Sequence, residues 1–156
     1  MKLKLNYFII PVITILVSLI GNYFTSIGLK DWYQGLALPS FTPPGFVIGI
    51  VWTVIFILAT ISALYVWPRF NCKPLKWQLA GIFILNALLN VFWSFLFFVD
   101  NQLAAAIWEM IALNLTTLIL ILLIWPKSKF AASLLIPYFG WVTFATYLAY
   151  RIYALN

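Results

Sequence analysis

The sequence contains no histidine, one cysteine and three acidic residues, and each shortage excludes a class of function. Histidine is the commonest metal ligand and the commonest general base near neutral pH, so neither a metal site nor acid–base catalytic residues are expected. A single cysteine, Cys72, cannot form a disulfide within the chain. Charged residues make up 8% of the chain, against about 25% in soluble domains, so a water-soluble catalytic module is not expected.

The sequence is rich in long apolar runs, and 65% of its residues are hydrophobic. A helix needs about 20 apolar residues to cross the hydrocarbon of a bilayer, whereas barrel strands are shorter and alternate in polarity. Five non-alternating runs reach the helical length: residues 7–27, 46–67, 79–99, 103–125 and 130–150. We therefore predict an all-α membrane protein, a five-transmembrane-helix bundle forming one domain over residues 1–156.

The N-terminal run, residues 7–27, follows Lys2 and Lys4, as the apolar part of a signal peptide would. It is longer than the usual 7–15 residues, and no small-residue cleavage site follows it. We therefore expect it to be retained as the first membrane span.

The net charge is +6, and the nine basic residues are divided unequally between the two sides of the predicted bundle. Two basic residues, Lys30 and Arg151, lie on the same side as Asp31 and Asp100. The other seven fall on the side of the N-terminus and of the second and fourth loops: Lys2, Lys4, Arg69, Lys73, Lys76, Lys127 and Lys129. This asymmetry predicts a cytoplasmic N-terminus in a bacterial plasma membrane, with lipid and not nucleic acid as the partner of the basic charge.

The first loop, residues 28–44, is much longer than the other three predicted connections. It contains Trp32, Tyr33, Phe41 and three prolines. Long ordered loops are often functional lids, and this composition favours a loop packed over the bundle. The alternative is a loop lying on lipid headgroups.

Trp52, Trp93 and Trp141 lie inside the predicted helices. Trp67, Trp77 and Trp125 lie instead at the cytoplasmic helix ends, where they are expected to form an interfacial belt. At about 1.5 Å per residue, Trp52, Trp93, Asn90 and Glu109 lie about 9–13 Å below the side of the first loop, and Trp141 lies near the middle. We therefore predict an aromatic cavity covered by the first loop.

Polar residues inside the spans are candidates for the same cavity. Asn86, Asn90, Trp93 and Phe97 follow helical spacing and share one face of the third helix. Asn90 is interpreted as a hydrogen-bond donor to a ligand, whereas Asn86 is either a ligand contact or a bond between helices. Glu109, the one acid deep inside a span, is open to a structural or a functional interpretation.

The fifth helix presents a matching face made of Tyr138, Trp141, Ala145 and Leu148. Pro137 removes a backbone hydrogen bond just before this face, so a kink is expected there.

Four fragments in register resemble the tryptophan-rich sensory protein family, also called translocator protein or peripheral benzodiazepine receptor (TspO/MBR). The first loop has Trp32-Tyr33, Leu36, Pro39 and Pro43-Pro44, and the second helix has Val51-Trp52-Thr53. The third helix has Leu89-Asn90, Trp93 and Phe97-Phe98, and the fifth has Pro137-Tyr138, Trp141 and Phe144-Ala145-Thr146. The resemblance covers essentially the whole chain.

The resemblance implies a five-helix bundle, often a homodimer, that binds tetrapyrroles such as protoporphyrin IX and synthetic isoquinoline carboxamides or benzodiazepines. Transport and stress response are among the roles it implies. No cofactor is expected to be required, and porphyrin is the expected ligand. The ligand-binding residues expected are Trp32, Tyr33, Trp52, Asn86, Asn90, Trp93, Tyr138, Trp141 and Ala145.

Some positions depart from the family pattern. Phe46, Phe56, Ile50 and Leu38 replace polar, aromatic or proline residues, which keeps the cavity apolar. The loose sterol pattern of Val142, Tyr147 and Arg151 is present, but Arg151 directly follows Tyr150 and breaks the family's sterol spacing. Sterol is therefore not expected as a partner.

Three functions compete. The leading hypothesis is a tetrapyrrole-binding membrane receptor or transporter. The second is light-dependent oxidative degradation of bound porphyrin, in which Trp52, Trp93 or Trp141 would donate electrons without acid–base or metal chemistry. The third, a small ion-coupled drug exporter, needs a mid-membrane acid on the transport path, and the first two helices contain none.

Overall fold

The computed structural model describes residues 6–70 and 72–156, so Lys2 and Lys4 of the charge pattern lie outside the described residues. The α-helices are α1 (Asn6–Gly28), α2 (Gly45–Val66), α3 (Lys73–Phe98), α4 (Leu103–Ile124), α5 (Lys129–Ser133) and α6 (Ile136–Leu155). With α5 and α6 taken as one span, five helical segments within these described residues are long and apolar enough to cross a membrane. The predicted all-α membrane fold with five transmembrane helices is confirmed.

The third span begins earlier than the predicted 79–99, because α3 starts at Lys73. Pro74 lies in its first turn, where a proline costs no hydrogen bond, and the basic residues of this turn lie outside the apolar run. Hydropathy therefore located the membrane-crossing part of α3 and missed its polar first turns.

The fifth span is not the continuous helix expected over residues 130–150. It is interrupted at Leu134–Leu135, and Pro137 lies in the first turn of α6, which then continues to Leu155. The interruption leaves the Ala131 carbonyl without its usual helical donor, since the Leu135 amide donates to Ala132 instead. The buried Ser62 hydroxyl of α2 donates to that carbonyl at 2.7 Å, so α2 packs where the span is broken.

The helices form a closed ring in which α3 packs between α1 and α4, α4 packs on α6, and α2 completes the ring against α1 and α5. A turn at Asn101, whose φ of 57° is tolerated by asparagine, joins α3 to α4. One core cluster, around Val66, Leu120 and Leu135, lies at the end that carries Arg69 and Lys127. Another, around Phe97, Ala106 and Ile152, lies at the end of the first loop.

Helix α2 is packed along only half of its length. Its buried residues, Ile55, Ser62, Ala63 and Val66, all lie from the middle of the helix onward. In the same region Thr60 donates to Thr14 of α1 at 2.9 Å. The first half of α2 therefore stands away from its neighbours, and a cavity opens there beneath the first loop.

The outer surface of the bundle is apolar. Large side chains such as Leu19, Phe46, Leu88 and Trp108 are exposed around its circumference, and the most apolar stretch of α1 has no buried residue. In water this surface would be far larger than the apolar patches that soluble monomers carry. The chain is an integral membrane protein whose exposed side chains face lipid.

Candidate functional site

The cavity has a volume of about 940 Å³. It lies between α1, α2, α3 and α6 and is bordered at one end by residues of the first loop, including Tyr33, Leu38 and Thr42. Small-molecule sites usually measure about 300–1,000 Å³, so this cavity accommodates a large, flat organic ligand. Its wall is mostly apolar, and the polar residues in it include two asparagines and five serines or threonines.

Aromatic rings form one wall of the cavity. The Trp52 and Trp93 rings are near-parallel, at 29°, with centroids 6.5 Å apart, and Trp93 is near-parallel to Phe97 at 5.4 Å. Tyr138 meets Trp52 edge-on at 6.2 Å. Trp141 lies 5.4 Å from Phe144 on α6. Three helices therefore supply indole faces to one space, as their common depth in the sequence predicted.

The first loop is packed and ordered, as expected from its composition. Its first part lies on the end of α3, with Trp32 edge-on to Phe97 at 5.2 Å and Tyr33 at 5.9 Å from Phe98. Burial of Tyr33 raises the pKa of its hydroxyl, so this side chain stays neutral at the mouth of the cavity.

The second part of the first loop is attached to α6. Phe41 stacks on Tyr147 at 5.6 Å and 15°. Asn156 binds the backbone of Ala37 twice: its Oδ1 accepts from the Ala37 amide at 3.0 Å, and its Nδ2 donates to the Ala37 carbonyl at 3.2 Å. Sequence reasoning missed this contact, because the partners are 119 positions apart.

Gly28 allows the loop to leave α1 next to α3. A Cβ atom at this position would lie 2.9 Å from the Cα and carbonyl carbon of Phe98, closer than ordinary contact, and closer still to the carbonyl oxygen. None of the described glycines has a positive φ, so the requirement at Gly28 is space and not conformational freedom.

A buried hydrogen-bond network joins α3, α4 and α6 behind the aromatic wall. Asn86 donates to Thr116 and Thr117 of α4 and accepts from the Tyr138 hydroxyl of α6. Asn90 donates to the Tyr138 oxygen at 3.1 Å. Every member is buried, which makes the network a specific connection between three helices.

The structure brings most of the expected ligand-binding residues to the cavity. Those that line it are Tyr33, Trp52, Asn90, Trp93, Trp141 and Ala145. Trp32, Asn86 and Tyr138 do not border it. Trp32 packs behind the wall on Phe97, and Asn86 and Tyr138 are occupied within the network, so these three support the lining residues from behind.

Glu109 does not line the cavity either. It is buried in α4, and neither of its carboxyl oxygens has a hydrogen-bond partner among the described residues. The indole nitrogens of Trp93 and Trp141 are likewise buried without a partner within the described part of the chain. Both tryptophans border the cavity, but these two nitrogen atoms are themselves buried.

The side chains around the cavity are mainly apolar and aromatic. In residues 6–70 and 72–156, His, Cys, Asp and Glu do not gather in any group of three that a metal ion would need. Cys72 is exposed next to the first turn of α3, at the end of the bundle opposite the first loop. Aromatic side chains, several hydroxyl-bearing residues and the two asparagines Asn22 and Asn90 border the cavity.

Comparison with known proteins identifies relatives of this chain. The model of the TspO/MBR family matches residues 9–155. The tryptophan-rich protein TspO of Bacillus cereus is 39% identical over 81% of this chain and 82% of its own, and that of Archaeoglobus fulgidus is 36% identical over 99% and 97%. The human translocator protein is 29% identical over 83% of this chain and 76% of its own.

Proposed function

Because the chain belongs to the TspO/MBR family of membrane proteins, we propose that it is a membrane receptor or transporter that binds a tetrapyrrole such as protoporphyrin IX within the bundle. The observation that carries this proposal is the wall of near-parallel indole and phenyl rings, Trp52, Trp93 and Phe97, on a cavity of about 940 Å³. Extended flat π-systems stack on such faces. The same aromatic wall could receive the aromatic rings of isoquinoline carboxamides and benzodiazepines, the synthetic ligands that the resemblance implies.

Metal-free porphyrin suits the site better than haem. The chain contains no histidine, and Cys72 lies at the far end of the bundle, so the cavity offers neither of the commonest axial ligands for iron. Stacking and hydrogen bonding are the interactions that its residues supply.

Light-dependent degradation of the bound porphyrin is the second candidate function. It is favoured by two indoles, Trp52 and Trp93, whose ring centroids lie 6.5 Å apart on the cavity wall. In this reaction an indole would give one electron to the light-excited macrocycle and become a radical cation. The reduced macrocycle would combine with dissolved dioxygen, which supplies the oxygen atoms, and an added reductant would restore the indole. Loss of the porphyrin Soret absorbance only in light and only with the protein present is the result expected of this activity.

Tryptophan substitutions test porphyrin binding. Trp52→Ala and Trp141→Ala each remove a stacking face worth about 0.5–1.5 kcal/mol beyond the area it buries, so the Kd for protoporphyrin IX should rise several-fold or more. The measurement is a porphyrin titration of the purified protein in detergent.

The matched controls are Trp125→Ala and Trp108→Ala, which remove indoles that are exposed on the outside of the bundle. They should leave the Kd nearly unchanged, and thermal unfolding should show that all four variants are folded. Equal losses of affinity in the outer and inner variants would contradict binding in this cavity.

A further inference from the structure

Arg69 lies at the end of the bundle opposite the first loop, and its side chain is held in one place. It is the last residue of a short 3₁₀ turn, Trp67–Arg69, that follows α2. The Cζ atom of its guanidinium lies 3.6 Å from the centre of the Tyr65 ring, and its Nη1 donates to the Tyr65 carbonyl. A guanidinium has five N–H donors in a rigid planar fork, so most of them stay available for a partner outside the chain.

None of the acidic residues of the chain is placed to be this partner. Asp31 is in the first loop, Asp100 follows α3, and Glu109 is in the second turn of α4, so all three lie in the half of the bundle next to the first loop. Even Glu109 is about 22 Å from the far end of its helix at Ile124, which is the end that Arg69 shares. An ion pair needs a separation of about 4 Å, so the counter-charge for Arg69 has to come from outside the chain.

An exposed apolar row on α2 leads to Arg69. Ile57, Ile61 and Tyr65 follow one another at intervals of four residues, so they share one face of the helix, and all three are exposed. The same interval leads from Tyr65 to Arg69. Phe130 of α5, also exposed, packs edge-on against the Tyr65 ring at 5.1 Å and borders the row. From Ile57 to Arg69 the row is about 18 Å long, close to the roughly 15 Å hydrocarbon depth of one leaflet.

We propose that Arg69 binds the phosphate of an anionic phospholipid, whose acyl chains lie along the row from Tyr65 to Ile57. An anionic headgroup fits because this end of the bundle offers it several cations and no acid. The other described basic residues at this end are Lys73, Lys76, Lys127 and Lys129. A zwitterionic headgroup would bring its own cation into this group, whereas phosphatidylglycerol brings none. Arg69 and the row do not border the cavity, so this site is independent of the ligand that the cavity binds.

The Tyr65 ring distinguishes this site from a diffuse field of positive charge. A guanidinium that is held over an aromatic face loses less side-chain freedom when it binds a phosphate than an unsupported cation does. Within the described residues, Arg69 and Lys76 are the two cations that lie over a ring, and Arg69 is the one that also ends the exposed row on α2. Lys127 is exposed at the same end and lies over none of the described rings. It carries the same charge without the same support.

Two lipids with the same acyl chains test this inference. The purified full-length protein in detergent is titrated with dioleoylphosphatidylglycerol or with dioleoylphosphatidylcholine, and native mass spectrometry gives the Kd of the first lipid bound. The ratio of the two Kd values measures the preference for the anionic headgroup. The parent protein should prefer phosphatidylglycerol by about tenfold, of which Arg69 should supply about fivefold, the factor expected of one cation near a membrane surface.

Three variants separate the site from the general charge of this end. Arg69→Gln should lower the preference about fivefold. The matched control is Lys127→Gln, which removes one positive charge at the same end and should leave the preference within about twofold of the parent. Tyr65→Leu changes no charge but removes the ring under the guanidinium, so it should lower the preference by about twofold or more, and it carries the test if Arg69→Gln does not fold. Thermal unfolding shows which variants are folded.

A preference that falls in Arg69→Gln and Tyr65→Leu and persists in Lys127→Gln would support the inference, whether or not the protein binds protoporphyrin IX. Equal Kd values for the two lipids in the parent protein, or equal losses in Arg69→Gln and Lys127→Gln, would overturn it. Inorganic phosphate is the probe for a site that takes any phosphate. If it displaces phosphatidylglycerol more strongly than sodium chloride does at the same ionic strength, the site binds free anions and the lipid is not its specific occupant, which would also overturn the inference.

Discussion

Gly28→Ala is the substitution whose effect follows most directly from the structure. The added Cβ would lie 2.9 Å from two backbone carbons of Phe98, whereas carbon atoms prefer about 3.5–4.0 Å. The contact is with backbone, which cannot rotate away as a flexible side chain would. The end of α1 must therefore move from α3 by about 1 Å, and overpacking of this kind costs about 1–3 kcal/mol.

The displacement should also loosen the first loop. Gly28 is the last residue of α1, and Phe98 is the residue on which Tyr33 packs. Moving the two apart separates the first part of the loop from its support. We expect Gly28→Ala to lower the thermal unfolding temperature in detergent by about 5 °C, and to release bound porphyrin faster than the parent protein does.

Gly35→Ala is the matched control, because it adds the same methyl group within the same loop where no atom lies within 4 Å. Its unfolding temperature should stay close to that of the parent protein. If Gly28→Ala and Gly35→Ala unfold at the same temperature, the close approach of α1 to Phe98 places no constraint on the fold, and the reasoning is wrong.

The remaining predictions concern the loop, the buried acid and the orientation in the membrane. Asn156→Ala removes both hydrogen bonds to Ala37 and should speed porphyrin dissociation about fivefold in stopped-flow fluorescence, whereas an unchanged rate would mean that this contact does not hold the loop. Glu109→Gln should leave the unfolding temperature unchanged or raise it, because a carboxyl without a described partner becomes a neutral amide; a marked decrease would show that the acid itself stabilises the bundle. An impermeant thiol reagent should label the exposed Cys72 only after cells are permeabilised, and labelling of intact cells would reverse the predicted orientation.

Hydropathy identified the membrane spans well because the bilayer imposes one strong requirement. A spanning helix needs about 20 apolar residues, and its backbone groups must form hydrogen bonds within the helix. It was less accurate at the ends of α3 and within the fifth span. The polar first turn of α3 carries no hydropathy signal. The break before Pro137 depends on Ser62 of a distant helix, which supplies the donor that the local sequence lacks.

By itself the sequence determined which residues are in the membrane, that indoles from three helices share a depth, and that the first loop is aromatic and packed. These properties follow from composition and helical spacing, which are local. Only the tertiary structure decided that Asn86 and Tyr138 lie behind the wall and that Asn156 binds the loop at Ala37. These contacts join residues that are far apart in the chain, so local spacing carries no signal for them and only folding brings the partners together.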